Sequence, residues 1–207
     1  LYHVILQLPN SESGLEQMVG VDTANNLATY ADGLRVGFTQ SSVSYSNRII
    51  ERHGANMGAF WKSFDFASGA GVGNVMYFSN GPRGLGFTEE ENEQFFSHDG
   101  SEFIFELPNG LHAYMIAGVD GCRQDSAPTN IIGSPEQPEG SLVENGYSCM
   151  YCHREGIIPA IDEVQPYWDT FGVAAPSYAP DGPLNGKEYV DQIYEIYRPQ
   201  SEIDEKQ

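Results

Sequence analysis

One short stretch constrains this chain more than any other, the eight residues GYSCMYCH at positions 146–153. Its residues Cys149, Cys152 and His153 form the C-x-x-C-H pattern typical of covalent c-type haem attachment. Two thiols three positions apart, on a turn leading into a helix, can each form a thioether with one haem vinyl group. The next residue then lies under the iron as its proximal ligand. The stretch therefore predicts one covalent haem c, attached at Cys149 and Cys152 and ligated by His153.

Two other interpretations use the same residues. The two cysteines can form a disulfide, or they can be half of a structural zinc site. A zinc site needs a second pair of ligands at similar close spacing, but the only other cysteine is Cys122 and the sequence has no such histidine pair. We therefore favour haem. Covalent haem attachment takes place outside the cytoplasm, so we expect a periplasmic or extracellular protein in which Cys122 is buried, with an intermolecular bridge as the alternative.

The charge balance narrows the range of partners. The 207 residues include 10 basic and 29 acidic ones, which gives a net charge of −19. Phosphate binding needs a basic surface, so we exclude nucleic acid as a partner, and anionic membrane surfaces are disfavoured for the same reason. No apolar run approaches the length of a membrane helix, so we expect no membrane insertion. The acidity favours solubility, with attraction of a basic redox partner or exclusion of other anions as the alternative.

Apolar periodicity predicts a mixture of helices and strands. The clearest element is a hairpin, because residues 102–107 alternate apolar and polar side chains, Asn109-Gly110 suits a tight turn, and residues 111–117 return. The other predictions are a strand or the tail of a preceding element at 1–9, a strand or loop at 33–43, a strand at 59–66, helices at 13–30 (or two short ones divided at Gly20), 46–53 and 187–198, a linker at 128–140, and a haem-wrapping loop at 166–183.

These elements predict an α+β fold, with a β-hairpin-containing antiparallel sheet and helices packed with a short C-terminal cytochrome c-like haem segment. We expect residues 1–135 to form a mixed α/β half that supplies the distal side of the haem pocket. Residues 136–207 form the haem-attachment segment and the C-terminal helix. Since this segment offers too few helices for a complete cytochrome c core, the two parts are expected to fold as one cooperative unit.

Five blocks of the sequence carry a resemblance to a known family: LYHVILQLP, SNRIIERHGANMGAFWKSFDFA, HDGSEFIFELPNGLHAYMI, APTNII and ENGYSCMYCHREGIIP. They are scattered over residues 1–165 and resemble a family of large, exported c-type cytochrome proteins of planctomycete-like bacteria. The resemblance implies that the chain, which begins at Leu1, is a C-terminal haem-bearing portion of a longer polypeptide. It also implies export and a redox role. Among site residues, it extends only to Cys149, Cys152 and His153.

The sixth iron ligand decides between functions. Electron-transfer cytochromes place His or Met there, whereas haem enzymes leave the position open or to water. No His or Met follows His153, so such a ligand must come from upstream. The first choice is His53, expected on a helix face shared with Ile49, and the second is His98, beside the hairpin. Met115 is a weaker candidate that suits the core better. The remaining candidates are His3, His112, Met18, Met57 and Met76.

The leading hypothesis is a single-haem c-type cytochrome domain that transfers electrons, with no catalytic residues. Its partner is a redox protein or an upstream domain of the same polypeptide. The alternatives are a peroxidase-like haem enzyme and a haem-based sensor, both with an open sixth position. For the enzyme, the distal acid–base groups are His53, His98, Arg48 or Glu51.

Overall fold

The structure is a computed structural model, and it describes residues 1–30, 32–40, 47–66, 75–76, 79, 81, 98–127, 142–174 and 186–206. These ranges contain all five histidines, all five methionines and all three cysteines of the chain. The predicted linker at 128–140 and the second half of the predicted loop at 166–183 lie outside the described residues.

Seven α-helices occur in these ranges. They are α1 (Tyr2–Ile5), α2 (Glu12–Val19), α3 (Thr23–Thr29), α4 (Tyr147–Cys152), α5 (Val164–Phe171), α6 (Gly186–Ile196) and α7 (Gln200–Lys206), with a 3-10 helix at Gly172–Ala174. None of the helices in the described part of the chain is long and apolar enough to cross a membrane.

The strands form one large antiparallel sheet and one small one. The order in the six-stranded sheet is β1 (Gly33–Phe38), β2 (Arg48–Gly54), β3 (Ala59–Asp65), β4 (Gly100–Glu106), β5 (His112–Gly118) and β6 (Arg123–Gln124). The second sheet pairs β7 (Ser126–Ala127) with β8 (Val143–Glu144). Each strand of the large sheet pairs with its neighbour in sequence, and the predicted α+β class is confirmed.

Several predicted elements are confirmed. The hairpin is β4–β5, in which Phe103 pairs with Met115, and Gly110 takes the positive φ of 79° that its turn requires. The strand at 59–66 is β3, and the helix at 187–198 is α6. The helix at 13–30 is divided at Gly20, as the alternative predicted. Its N-cap is Ser11, whose hydroxyl accepts a hydrogen bond from the Gly14 N–H.

The helix predicted at 46–53 is wrong, because residues 48–53 belong to strand β2; residue 46 lies outside the described residues. Ile49 and His53 are four apart, which suggested one helix face, but they are also separated by two steps of strand alternation. Ile49, Glu51 and His53 are all buried on one side, and the β-branched Ile49 and Ile50 favour the extended backbone. Because Glu51 and His53 are polar, the positions of the apolar residues alone did not show this alternation.

Two other predictions also fail. Residues 1–9 contain the short helix α1 rather than a strand, and residues 166–171 belong to α5 rather than to a loop. The C-terminal segment therefore has four helices in the described residues, more than its sequence suggested.

The large sheet separates two different environments. One side, here the core face, carries Ile49, Phe60, Phe64, Phe103, Phe105 and Met115, which pack with apolar residues of α2, α3, α5 and α6. The other side, here the cavity face, carries Arg48, Ile50, Trp61, Ser63, Glu102, Ile104 and Tyr114, and α4 lies over it. Strand alternation assigns neighbouring residues to opposite faces.

The C-terminal segment runs around the β1 edge of the sheet. Gly37 donates its N–H to the Asp162 carboxylate at 2.8 Å, and its carbonyl accepts from the Glu163 N–H at 2.8 Å. Farther along, Tyr197 forms a parallel bridge with Arg35. The chain thus passes from the cavity face to the core face through α5 and α6. It then returns with Ile203 of α7 against Leu34, Val36 and Phe38.

Candidate haem-binding site

A cavity of about 470 Å³ lies between the cavity face and the segment that carries the C-x-x-C-H motif. Its volume is within the usual range of cofactor pockets. One wall is the sheet, with Arg48, Ile50, Trp61, Ser63, Glu102, Ile104 and Tyr114. The opposite wall contains Cys149, Cys152 and His153 and continues through residues 157–161. The structure therefore brings all three motif residues to one cavity.

Helix α4 presents the two cysteines to this cavity. It begins after Gly146, whose positive φ of 81° and contact with the Tyr2 ring favour glycine at this position. Ser148 anchors its first turn, since its hydroxyl accepts a hydrogen bond from the Glu144 N–H. Cys149 and Cys152 lie three residues apart on this one helix, and neither forms a disulfide.

The protonation state of the Cys149 thiol matters for the two other interpretations of the motif, a disulfide and a structural zinc site. Burial, with the negative charge of Glu102 as a further cause, raises the pKa of this thiol to about 12. Thiolate is the form that ligates metals and exchanges disulfides. At neutral pH Cys149 is thus a neutral thiol, which would have to lose its proton to ligate a metal or to form a disulfide. Among the described residues, no three His, Cys, Asp or Glu side chains are grouped as a metal site requires.

His153 is held in one orientation by two contacts. Its Nδ1 lies 3.2 Å from the carbonyl oxygen of Gly156, and its ring packs on Tyr114 with 5.9 Å between ring centroids. A carbonyl only accepts hydrogen bonds, so Nδ1 carries the proton and Nε2 has a free lone pair. Histidines that bind metals are commonly fixed in this way. Burial lowers the pKa of His153, which favours the neutral imidazole that can ligate iron.

The sheet wall carries a small polar group. Arg48 Nε lies 2.5 Å from Asp65 Oδ1, and Arg48 Nη1 lies 3.3 Å from Glu102 Oε2. Ser63 donates to Asp65 Oδ2 at 2.8 Å and accepts from the Glu102 N–H at 3.0 Å. Burial acts to lower the pKa of Arg48, but the two carboxylates outweigh it and raise that pKa. Burial raises the pKa of Asp65 to about 6.

His53, the first-choice distal ligand, is not at the cavity. It lies fully buried in β2 on the core face. Its Nε2 lies 3.2 Å from Glu51 Oε2, and its Nδ1 lies 3.3 Å from Asn26 Nδ2. Both ring nitrogens are therefore engaged in hydrogen bonds, and Glu51, expected as a distal acid–base group, lies on the same face.

His98 does not line the cavity, and Met115 borders it from the core face. His98 packs edge-on against Phe64, with 5.2 Å between ring centroids, and Phe64 belongs to the core face. Burial lowers the pKa of His98 to about 4. Met115 borders the cavity, but its fully buried side chain packs in the core-face cluster with Phe103.

The remaining candidates lie elsewhere. His3 contacts Asp125 at 3.3 Å, and Met76 is buried among the core-face residues. Met18 and Met57 are exposed. His112 is on the cavity face, where its ring packs against Trp61 with 5.7 Å between centroids, but it does not line the cavity. Cys122 is exposed, so the expectation that it is buried is wrong.

Sequence reasoning missed several residues of the sheet wall. Arg48 was a candidate distal group, but Glu102, Ser63 and Tyr114 were not. A usable signal existed for Glu102, since it opens the predicted hairpin strand and its alternation sets it on the face opposite Phe103. Ser63 and Tyr114 become recognisable only through the register of β3, β4 and β5.

No protein-family model, no curated protein and no solved structure matches this chain.

Proposed function

We propose that this chain is a single-haem c-type cytochrome domain with a redox function. The observation that supports the proposal is the convergence of both motif cysteines and His153 on one cavity, with His153 Nε2 left free by the bond from Nδ1 to Gly156. Cys149 and Cys152 would hold the haem covalently, and His153 would bind its iron. The haem supplies one-electron chemistry when bound.

Electron transfer to a redox partner protein, or to an upstream domain of the same polypeptide, is the first role. The apolar side chains around the cavity, among them Ile50, Ile104 and Ile158, would exclude water from the haem faces. Exclusion of water raises the reduction potential of a haem relative to an exposed one. Since haem c is attached outside the cytoplasm, the proposed location is periplasmic or extracellular.

A ligand-binding role, as a haem enzyme or a sensor, is the second candidate. It is favoured by one observation, that Met115 and His153 are the only histidine or methionine residues bordering the cavity, and the Met115 side chain belongs to the core face. All histidines and methionines lie in the described residues, so this statement covers every such side chain of the chain. A haem ligated only by His153 would have an open sixth position.

To test the proposal, the chain is expressed together with a c-type cytochrome maturation system, and covalent haem attachment is measured. We expect a mass increase of one haem that survives denaturation, and a reduced spectrum typical of haem c. Cys149→Ser and Cys152→Ser should each weaken covalent attachment, whereas the matched control Cys122→Ser should leave it unchanged, because Cys122 is exposed and outside the cavity. Protein without covalent haem under these conditions would refute the proposal. A low-spin spectrum would favour electron transfer, and a high-spin spectrum that shifts with added ligand would favour the second role.

A further inference from the structure

The sheet wall of the cavity combines an apolar surround with one charged pair. The apolar part includes Phe38, Ile50, Trp61 and Ile104, and the charged pair is Arg48 with Glu102. The side chains of Arg48 and Glu102 are only 12% and 23% exposed. Taking charged groups out of water costs free energy that packing alone does not recover. Such groups at a cavity therefore indicate a chemical role.

The charged pair lies on the wall opposite the motif. His153 belongs to the wall formed by the C-terminal segment, whereas Arg48 and Glu102 project from β2 and β4 of the sheet. Both charges still act on the motif, since Glu102 raises and Arg48 lowers the pKa of His153, on which burial is the largest influence. A group bound between the two walls therefore meets His153 on one side and the charged pair on the other.

The two charged residues differ in what they can do. Arg48 is always protonated, and it is a donor to any oxygen or nitrogen anion. Glu102 has a carboxylate that can take up a proton, and its N–H is fixed by Ser63 at 3.0 Å. A pair that combines a fixed donor with a proton acceptor suits a small ligand that arrives protonated and binds as an anion.

We propose that Glu102 and Arg48 form the distal binding site for a small protic ligand of the haem, a molecule HX such as hydrogen cyanide. Glu102 would accept the proton of HX, and Arg48 would donate a hydrogen bond to the X⁻ that remains. A bound haem would supply the iron that holds X⁻. The proton moves from HX to the carboxylate, so charge balances and no electron is transferred. The inference rests on the proposed haem and assigns the residues that act beside its open position.

The test uses the haem-loaded full chain and follows the Soret band in stopped-flow mixing. Cyanide is added to the oxidised protein, and carbon monoxide, which has no proton to release, is added to the reduced protein. The variants are Glu102→Gln and Glu102→Asp. The matched control is Glu106→Gln, which changes a glutamate of the same strand that does not line the cavity.

We expect Glu102→Gln to slow cyanide association about 100-fold, the usual size of one proton-transfer contribution, and to leave the carbon monoxide rate within about twofold. Glu102→Asp, which keeps a carboxylate, should recover most of the cyanide rate. Glu106→Gln should change neither rate.

Three results would overturn the inference while leaving the haem proposal intact. The first is a wild-type spectrum that is low-spin and unchanged by cyanide, which would mean that the sixth position is filled. The second is cyanide association in Glu102→Gln at the wild-type rate. The third is an equal loss for cyanide and carbon monoxide, which would mean that Glu102 only shapes the cavity. Absence of covalent haem would refute the proposed function itself, and the inference with it.

Discussion

The buried ion pair of the core face gives the sharpest stability prediction. Arg35 Nη2 lies 2.6 Å and Arg35 Nε 2.7 Å from Glu51 Oε1, and the two side chains are 0% and 1% exposed. Glu51→Gln would remove the carboxylate charge that the buried Arg35 guanidinium contacts through both Nη2 and Nε. Breaking a buried pair in this way costs about 3–5 kcal/mol. With a urea m-value of about 3 kcal/mol/M, the unfolding midpoint should fall by about 1–1.7 M.

The pKa of Glu51 supports the same magnitude. Burial acts to raise this pKa, but the charge of Arg35 and the hydrogen bond with His53 outweigh it and lower the pKa from 4.5 to about 2. At about 1.4 kcal/mol per pH unit, the ionised carboxylate contributes about 3 kcal/mol to the free energy of unfolding. The contribution is complete above about pH 4.5 and is lost as the pH falls toward 2. At pH 3 about 1.5 kcal/mol should remain.

The assay is urea unfolding of wild type and Glu51→Gln, compared at pH 7, 4 and 3. We expect the difference in free energy of unfolding to shrink by about half between pH 7 and pH 3. Glu188→Gln is the control, since this glutamate is exposed on α6 and should change stability by less than about 0.5 kcal/mol. A difference below about 1 kcal/mol at pH 7, or one independent of pH, would refute the reasoning.

Three further predictions concern the C-terminal segment. Gly37→Ala should lower the free energy of unfolding by about 1–3 kcal/mol in urea, because a Cβ there would overlap the Val164 side chain; an unchanged midpoint would contradict this packing. Asp162→Ala removes the acceptor for the N–H groups of Gly37 and Gln165 and should cost about 1–2 kcal/mol by the same measurement. Trp168→Ala should cost about 3–5 kcal/mol and lower the melting temperature, since Trp168 is 1% exposed in the core. A melting temperature within 1 °C of wild type, at about 2–4 °C per kcal/mol, would show that Trp168 does not pack there.

Local sequence patterns correctly predicted the elements in which apolar and polar side chains alternate regularly and a recognisable turn follows. The β4–β5 hairpin alternates apolar and polar residues and has Asn109-Gly110 at its turn, so its position follows from the sequence. The three motif residues also came from local spacing. The contacts between the strands depend on residues far apart in the sequence. The register of β3 and β4 places Ser63 near Glu102, and no short sequence pattern predicts that register.

Strand β2 shows why the rest was not predictable. Its buried positions include Glu51 and His53, which are polar, and their burial depends on Arg35 from another strand and Asn26 from a helix. An apolar pattern cannot detect a buried polar residue whose partner is distant in sequence. The same limit of the apolar pattern led to the helix predicted around His53, and the face of that helix was the basis for choosing His53 as an iron ligand. The long-range pairing that buries His53 also keeps it from the cavity.

The path of the C-terminal segment around the β1 edge has a consequence for how the chain behaves at high concentration. An open edge strand offers unpaired N–H and C=O groups to other molecules, and it is a common starting point for aggregation and fibril growth. Gly37 uses its outward N–H and C=O on Asp162 and Glu163, and Tyr197 is bridged to Arg35 on the same edge. At the opposite edge, β6 is only two residues long. The C-terminal segment therefore covers the outward backbone groups of Arg35 and Gly37 at the β1 edge. Truncation before residue 160 should uncover this edge and increase aggregation, measured by light scattering.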